Sequence, residues 1–121
     1  MRITERHLDD FVGGFPAPAS ENNRYPRIEN NDWTAGFYTG ILWMCYEYSG
    51  KKAFYDAAMG RLQSFRSRIE NRVVVDHHDM GFIYSLSCVA AYKLTGCLLY
   101  TSDEVLENWD QSYAKQLSAG R

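Results

Sequence analysis

The sequence predicts an all-α fold assembled from helical hairpins, and three observations lead there. Residues 32–50 and 79–96 have the length of helices and carry apolar side chains on every side. Between them, residues 51–70 are apolar along one stripe only. The two apolar segments also echo each other. Gly36-Phe37 recurs as Gly81-Phe82 at an offset of 45, and the closing Gly50 recurs as Gly96 at an offset of 46. A repeat of that length is one helical hairpin. Buried helices alternating with amphipathic ones suit a closed double ring, with the buried helices inside. An open solenoid is the competing arrangement.

In chain order, residues 3–12 are expected to form a short helix, because Ile3, His7, Leu8 and Phe11 would share a face. Residues 13–31 hold two glycines, all three prolines and four asparagines, the composition of a loop. Loops of such length tend to be functional or disordered. Asp32 stands where it would cap the first apolar helix, and Gly50 where a left-handed residue would end it. Phe37, Tyr38, Ile41, Leu42, Met44, Cys45 and Tyr48 leave that helix no polar side, which predicts burial all round. Gly36 and Gly40 share a face and would admit a close neighbour. In residues 51–70, Phe54, Ala58, Leu62, Phe65 and Ile69 form the core stripe, and Arg61, Gln63, Arg66, Arg68 and Glu70 fall to the watery side. The second apolar helix carries Phe82, Ile83, Tyr84, Leu86, Val89, Ala90, Tyr92 and Leu94, and Gly96 closes it. A last helix, capped by Ser102 or Asp103, would align Val105, Trp109, Tyr113 and Leu117.

At 121 residues the chain is one domain or part of a larger one. Its 45% hydrophobic and 23% charged residues are ordinary globular composition. A formal charge of −2 supplies no electrostatic reason to expect nucleic acid. No apolar run is long enough to span a membrane, and the opening "MRITERHLDDF" is too charged for a signal peptide, so a cytoplasmic protein is expected. Cys45, Cys88 and Cys97 lack metal-finger spacing, which suits buried thiols in a reducing compartment. The nine tyrosines, six phenylalanines and three tryptophans suit core packing, and also the flat C–H faces of sugar rings.

The run Asp76-His77-His78-Asp79 concentrates titratable groups in a chain with three histidines. Adjacent histidines point in different directions on a helix or strand, whereas useful helical ligand pairs sit three or four residues apart. No metal is therefore expected. Asp79 has two compatible readings: a cap for the helix that follows, or part of a functional site. At a helix N-terminus its carboxylate would be held as an anion, so another carboxyl would have to donate any proton. Trp33 is either a staple against the long loop or a stacking platform at the mouth of the ring; its position favours neither.

"NDWTAGFYTGILWMCYEYSG", "SFRSRIENRVVVDHHDMGFIYSLSCVAAYKLTG" and the loop beginning "FPAP" resemble the unsaturated glucuronyl hydrolases, glycoside hydrolase family 88. The resemblance covers roughly residues 8 to 96 and implies that residues 1–96 are the N-terminal part of an (α/α)6 barrel. Residues 97–121 stop resembling the family. The implied reaction removes a 4,5-unsaturated uronic acid from lyase-generated oligosaccharides by hydrating its enol ether, with no metal or organic cofactor. It differs from the two-carboxylate displacement of ordinary glycosidases. Asp79 matches the aspartate that contacts the unsaturated sugar and supports the transition state, His78 would line the pocket beside it, and Trp33 matches a tryptophan that packs on the sugar. The family's general acid and base lies further along than this chain extends, which implies a truncated chain, inactive alone. The partner implied is an unsaturated uronic-acid oligosaccharide. Two other readings compete: an unsaturated rhamnogalacturonyl hydrolase, with the same barrel and chemistry, and a non-catalytic helical-repeat interaction module.

Overall fold

A computed structural model describes residues 1–96. The predicted last helix and Cys97 lie outside the described residues. The chain opens with a short helix, α1 (Arg2–Arg6), then a two-stranded hairpin, β1 (Phe15–Pro16) and β2 (Arg27–Ile28). Two long helices follow, α2 (Ala35–Ser49) and α3 (Lys52–Glu70). The last rod is composite: α4 (Met80–Tyr84) runs through a π-helical turn, Ser85–Val89, into α5 (Ala90–Thr95). The elements are predominantly helical, as the apolar periodicities predict.

The predicted helix over 3–12 stops at Arg6, and turns carry the chain on to Gly14. Phe11 is buried all the same, its ring edge-on to Tyr38 at 5.5 Å. The segment 13–31 is not a plain loop. Phe15 pairs with Ile28 and Pro16 with Arg27 in antiparallel register, and the Ala17 N–H donates to the Pro26 carbonyl at 2.8 Å. Its tip is the Glu21–Arg24 bridge around Asn22 and Asn23, at φ 51° and 63°. Two left-handed residues in a row are what a two-residue hairpin turn requires, and asparagine tolerates them.

The internal repeat survives as matched termini. α2 ends on Gly50 at φ 69°, whose N–H donates to the Tyr46 carbonyl at 2.7 Å. α5 ends on Gly96 at φ 71°, whose N–H donates to the Tyr92 carbonyl at 2.8 Å. Between these helices Gly36 and Gly40 permit the close approach expected of them. A methyl on Gly36 would stand 2.5 Å from the Ile83 Cα and carbonyl oxygen, and one on Gly40 3.1 Å from the Leu86 Cβ. The π-helical turn sits at this contact. It leaves the Ser87 carbonyl to accept the Trp43 indole N–H at 3.1 Å, so a widened turn on one rod is filled by a donor from the other.

α3 packs across both with Phe54, Ala58, Leu62 and Phe65 buried. Two expectations fail here. Arg61 and Arg68, assigned to the watery side, are buried. Arg61 donates to the carbonyls of Phe11, Gly14 and Ala57, and stands 5.1 Å from the Tyr38 ring. The N-terminal turns lie over that side of α3, and their carbonyls, which have no helix to bond within, take the guanidinium instead. The third failure is on α2. Phe37, Ile41, Met44 and Tyr48 are exposed, although that helix was expected to be covered all round. Their spacing of four, three and four residues makes one stripe along the helix, which Phe82 of α4 meets at Phe37.

Candidate functional site

The site begins with a buried cation. Arg68, 1% exposed near the end of α3, donates from Nη1 to the Asn30 side-chain oxygen at 3.1 Å and to the Asp32 carbonyl at 2.8 Å. Its Nε reaches the Val73 carbonyl at 3.0 Å and its Nη2 the Val74 carbonyl at 2.9 Å. Burial pulls Arg68 below the ordinary guanidinium range, while Tyr84 and Asp32 push it back up. One planar fork thereby joins the segment entering α2, which carries Trp33, to the turn entering α4, which carries His77 and Asp79. A lysine could not do this, because its ammonium offers three donors rather than five.

Trp33 lies in the turn before α2 and is 46% exposed. Its ring meets Phe37 edge-on at 5.7 Å, and Phe37 stacks on Phe82 at 6.4 Å. Phe82 is three residues beyond Asp79, so an aromatic path runs between the two loops over the mouth of the helix pair. Asp32 is not the helix cap. Its Oδ1 accepts the Trp33 N–H at 2.7 Å, and the capping position falls to Thr34. Asp79 does occupy the capping position of α4, yet its carboxylate accepts no bond from the first turn. The reason is the same at both ends. A capping side chain needs an extended backbone, whereas Thr34 (φ −77°, ψ −13°) and Asp79 (φ −87°, ψ 1°) are already close to helical. The anion-holding role assigned to those N–H groups therefore falls away.

Asp79 instead faces imidazoles. Its Oδ1 is 3.5 Å from His78 Nε2, and its Oδ2 is 4.0 Å from His77 Nδ1. The Asp79 side chain is 25% exposed, and His78, at 81%, projects into solvent beside it. His77 is the histidine drawn inward, with Nε2 3.3 Å from Arg68 Nη2. Sequence reasoning passed over both His77 and Arg68. The turn that closes on Arg68 is sharp, with Arg72 and Val74 at φ of 53° and 47°, and no residue type in the sequence announces it. Among the described residues no three His, Cys, Asp or Glu side chains converge to hold a metal ion. A groove of about 990 Å³ opens beside the site, between the N-terminal turns (His7, Phe11), the hairpin (Pro18, Tyr25) and α2 (Phe37, Ile41). Phe37 borders both this groove and the aromatic path.

No protein-family model matches the chain. Curated relatives do. It is 42% identical over 117 residues to the unsaturated chondroitin disaccharide hydrolase of Streptococcus pneumoniae, covering 92% of this chain and 30% of that protein. It is 44% identical over 92 residues to the unsaturated glucuronyl hydrolase of Bacillus sp. GL1, covering 76% and 24%. Among solved structures, the Bacillus sp. GL1 enzyme superposes with a TM-score of 0.81 at 36% identity, over 91% of this chain and 29% of that one. A Streptococcus agalactiae unsaturated glucuronyl hydrolase mutant, complexed with dGlcA-GalNAc6S, superposes with a TM-score of 0.78 at 37% identity, over 95% and 29%. The fold is thus an arc of an (α/α)6 barrel, of the glycosidase kind. The chain belongs with the unsaturated glucuronyl hydrolases, and it spans under a third of the length of the curated relatives it matches.

Proposed function

We propose that this chain forms part of the sugar-binding wall of an unsaturated glucuronyl hydrolase. In this reading residues 1–96 are the N-terminal part of the barrel. The carrying observation is the Arg68 junction, which sets the Trp33 and Asp79 loops side by side with Phe37 and Phe82 between them. An exposed indole offers a flat face to the C–H side of a sugar ring. Beside it, Asp79 contacts the unsaturated uronic acid and stabilises charge that develops as water adds across the double bond. His78 lines the same wall. The names of the relatives support a substrate cut from a glycosaminoglycan, with the uronic acid linked to an amino sugar. Cys45 and Cys88, both buried thiols, support a cytoplasmic location.

The chain alone binds but does not turn over, because the proton donor of the proposed reaction is not among its residues. General acid–base catalysis contributes roughly 10²- to 10⁴-fold, so its loss is measurable. The test is incubation of the purified chain with an unsaturated disaccharide. Expected are a Trp fluorescence change, abolished in Trp33→Ala, and constant ultraviolet absorbance of the conjugated double bond. A steady fall in that absorbance would overturn the inactivity, and an unchanged fluorescence signal would overturn the binding wall.

A further inference from the structure

Arg68 has five N–H groups, and four of them are taken by oxygen: Nε by Val73, the two on Nη1 by Asn30 and Asp32, and one on Nη2 by Val74. The fifth faces Nε2 of His77 at 3.3 Å. A guanidinium has no lone pair and keeps its protons, so this contact is a hydrogen bond only when Nε2 is bare. On the other side of the ring, the Asp79 amide N–H donates to Nδ1 at 3.1 Å, and Nδ1 lies 4.0 Å from Asp79 Oδ2. A neutral imidazole owns one N–H and one lone pair. It cannot accept from both Arg68 and the Asp79 amide.

The two claims on that lone pair are unequal. The Arg68 bond is charge-assisted and therefore the stronger. Both contacts are part-buried, so it is the charge on Arg68 that separates them. We propose that Arg68 holds His77 in the Nδ1–H tautomer and so aims that N–H at the Asp79 carboxylate. Oδ2 stands 4.0 Å from Nδ1, so the bond requires the Asp79 side chain to move toward the ring. Arg68 and His77 are then positioning residues: neither touches the sugar, and together they orient the carboxylate that does. The role in sugar binding rests on the function proposed above; the tautomer does not.

Long-range proton–nitrogen correlation spectra of the ¹⁵N-labelled 121-residue chain test this directly. They are taken in mildly alkaline buffer, where imidazoles are neutral. Signals are assigned with His7→Gln, His77→Gln and His78→Gln. His77 is expected to carry its hydrogen on Nδ1, and Arg68→Met to switch it to Nε2, the form free imidazoles favour. A hydrogen on Nε2 in the unmodified chain overturns the inference, whether or not Arg68→Met folds. Where Arg68→Met folds, affinity for an unsaturated disaccharide is expected to fall several-fold. A switched tautomer with unchanged affinity overturns the positioning role. If the unmodified chain fails to bind the disaccharide, the proposed function fails instead, and the spectra still decide the tautomer.

Discussion

Single residues carry more of this architecture than their types advertise. Trp43 lies mid-helix in an apolar run and is buried, yet its indole N–H also closes the Ser87 carbonyl left by the π turn. Trp43→Phe should keep most of the packing and strand that acceptor, costing about 1–3 kcal/mol in chemical denaturation. Tyr84 donates to the Phe65 carbonyl at 2.8 Å, and burial pushes its phenol well above the ordinary range. The folded state therefore retains a proton that the unfolded chain loses near pH ~10. Stability is full below that pH and falls as pH rises through it. Tyr84→Phe should flatten this alkaline decline, read from melting temperatures across pH. Asp79 and Trp33 were singled out from the sequence by their motif context. Arg68 was not, because periodicity records which helix face a residue occupies and not what lies over that face. A guanidinium on the polar side of α3 reads as solvated until a turn with spare carbonyls is known to close on it.

At the scale of elements, the glycines divide by what stands opposite them. Gly36→Ala would meet the backbone of Ile83, which cannot step aside, so helix packing must shift at about 1–3 kcal/mol or more. Gly40→Ala meets a Leu86 side chain at 3.1 Å and should cost less. Gly60, inside α3 with nothing near a methyl, should stabilise on change to Ala by about 0.5–1 kcal/mol. Denaturation midpoints of the three variants check that order. The close approach was legible, since two glycines four apart on an apolar helix call for a neighbour. The π turn was not, because Ser85–Val89 carries no residue type that forbids an ordinary helix. The hairpin in 13–31 escaped as well: its strands are two residues long, too short to show alternation.

At the scale of the whole molecule, the arc leaves Phe37, Ile41, Met44 and Tyr48 in water, the last 84% exposed. Exposed apolar stripes of this kind promote association. The chain should sediment with a concentration-dependent mass, and Ile41→Lys with Met44→Glu should reduce it. The closed double ring was inferred from alternating helix types, and the described residues supply three rods of it. The Arg68 junction has a consequence in time as well. Its acceptors range from Asn30 to Val74, so they meet only after α2 and α3 have docked and the following turn has folded back. Contacts assembled that late are absent from a folding barrier built on helical hairpins, and weakening them hastens escape from the native basin without delaying entry. Stopped-flow mixing should show Arg68→Lys steepening the loss of native signal while refolding keeps its pace. The clasp would then act as a latch on lifetime.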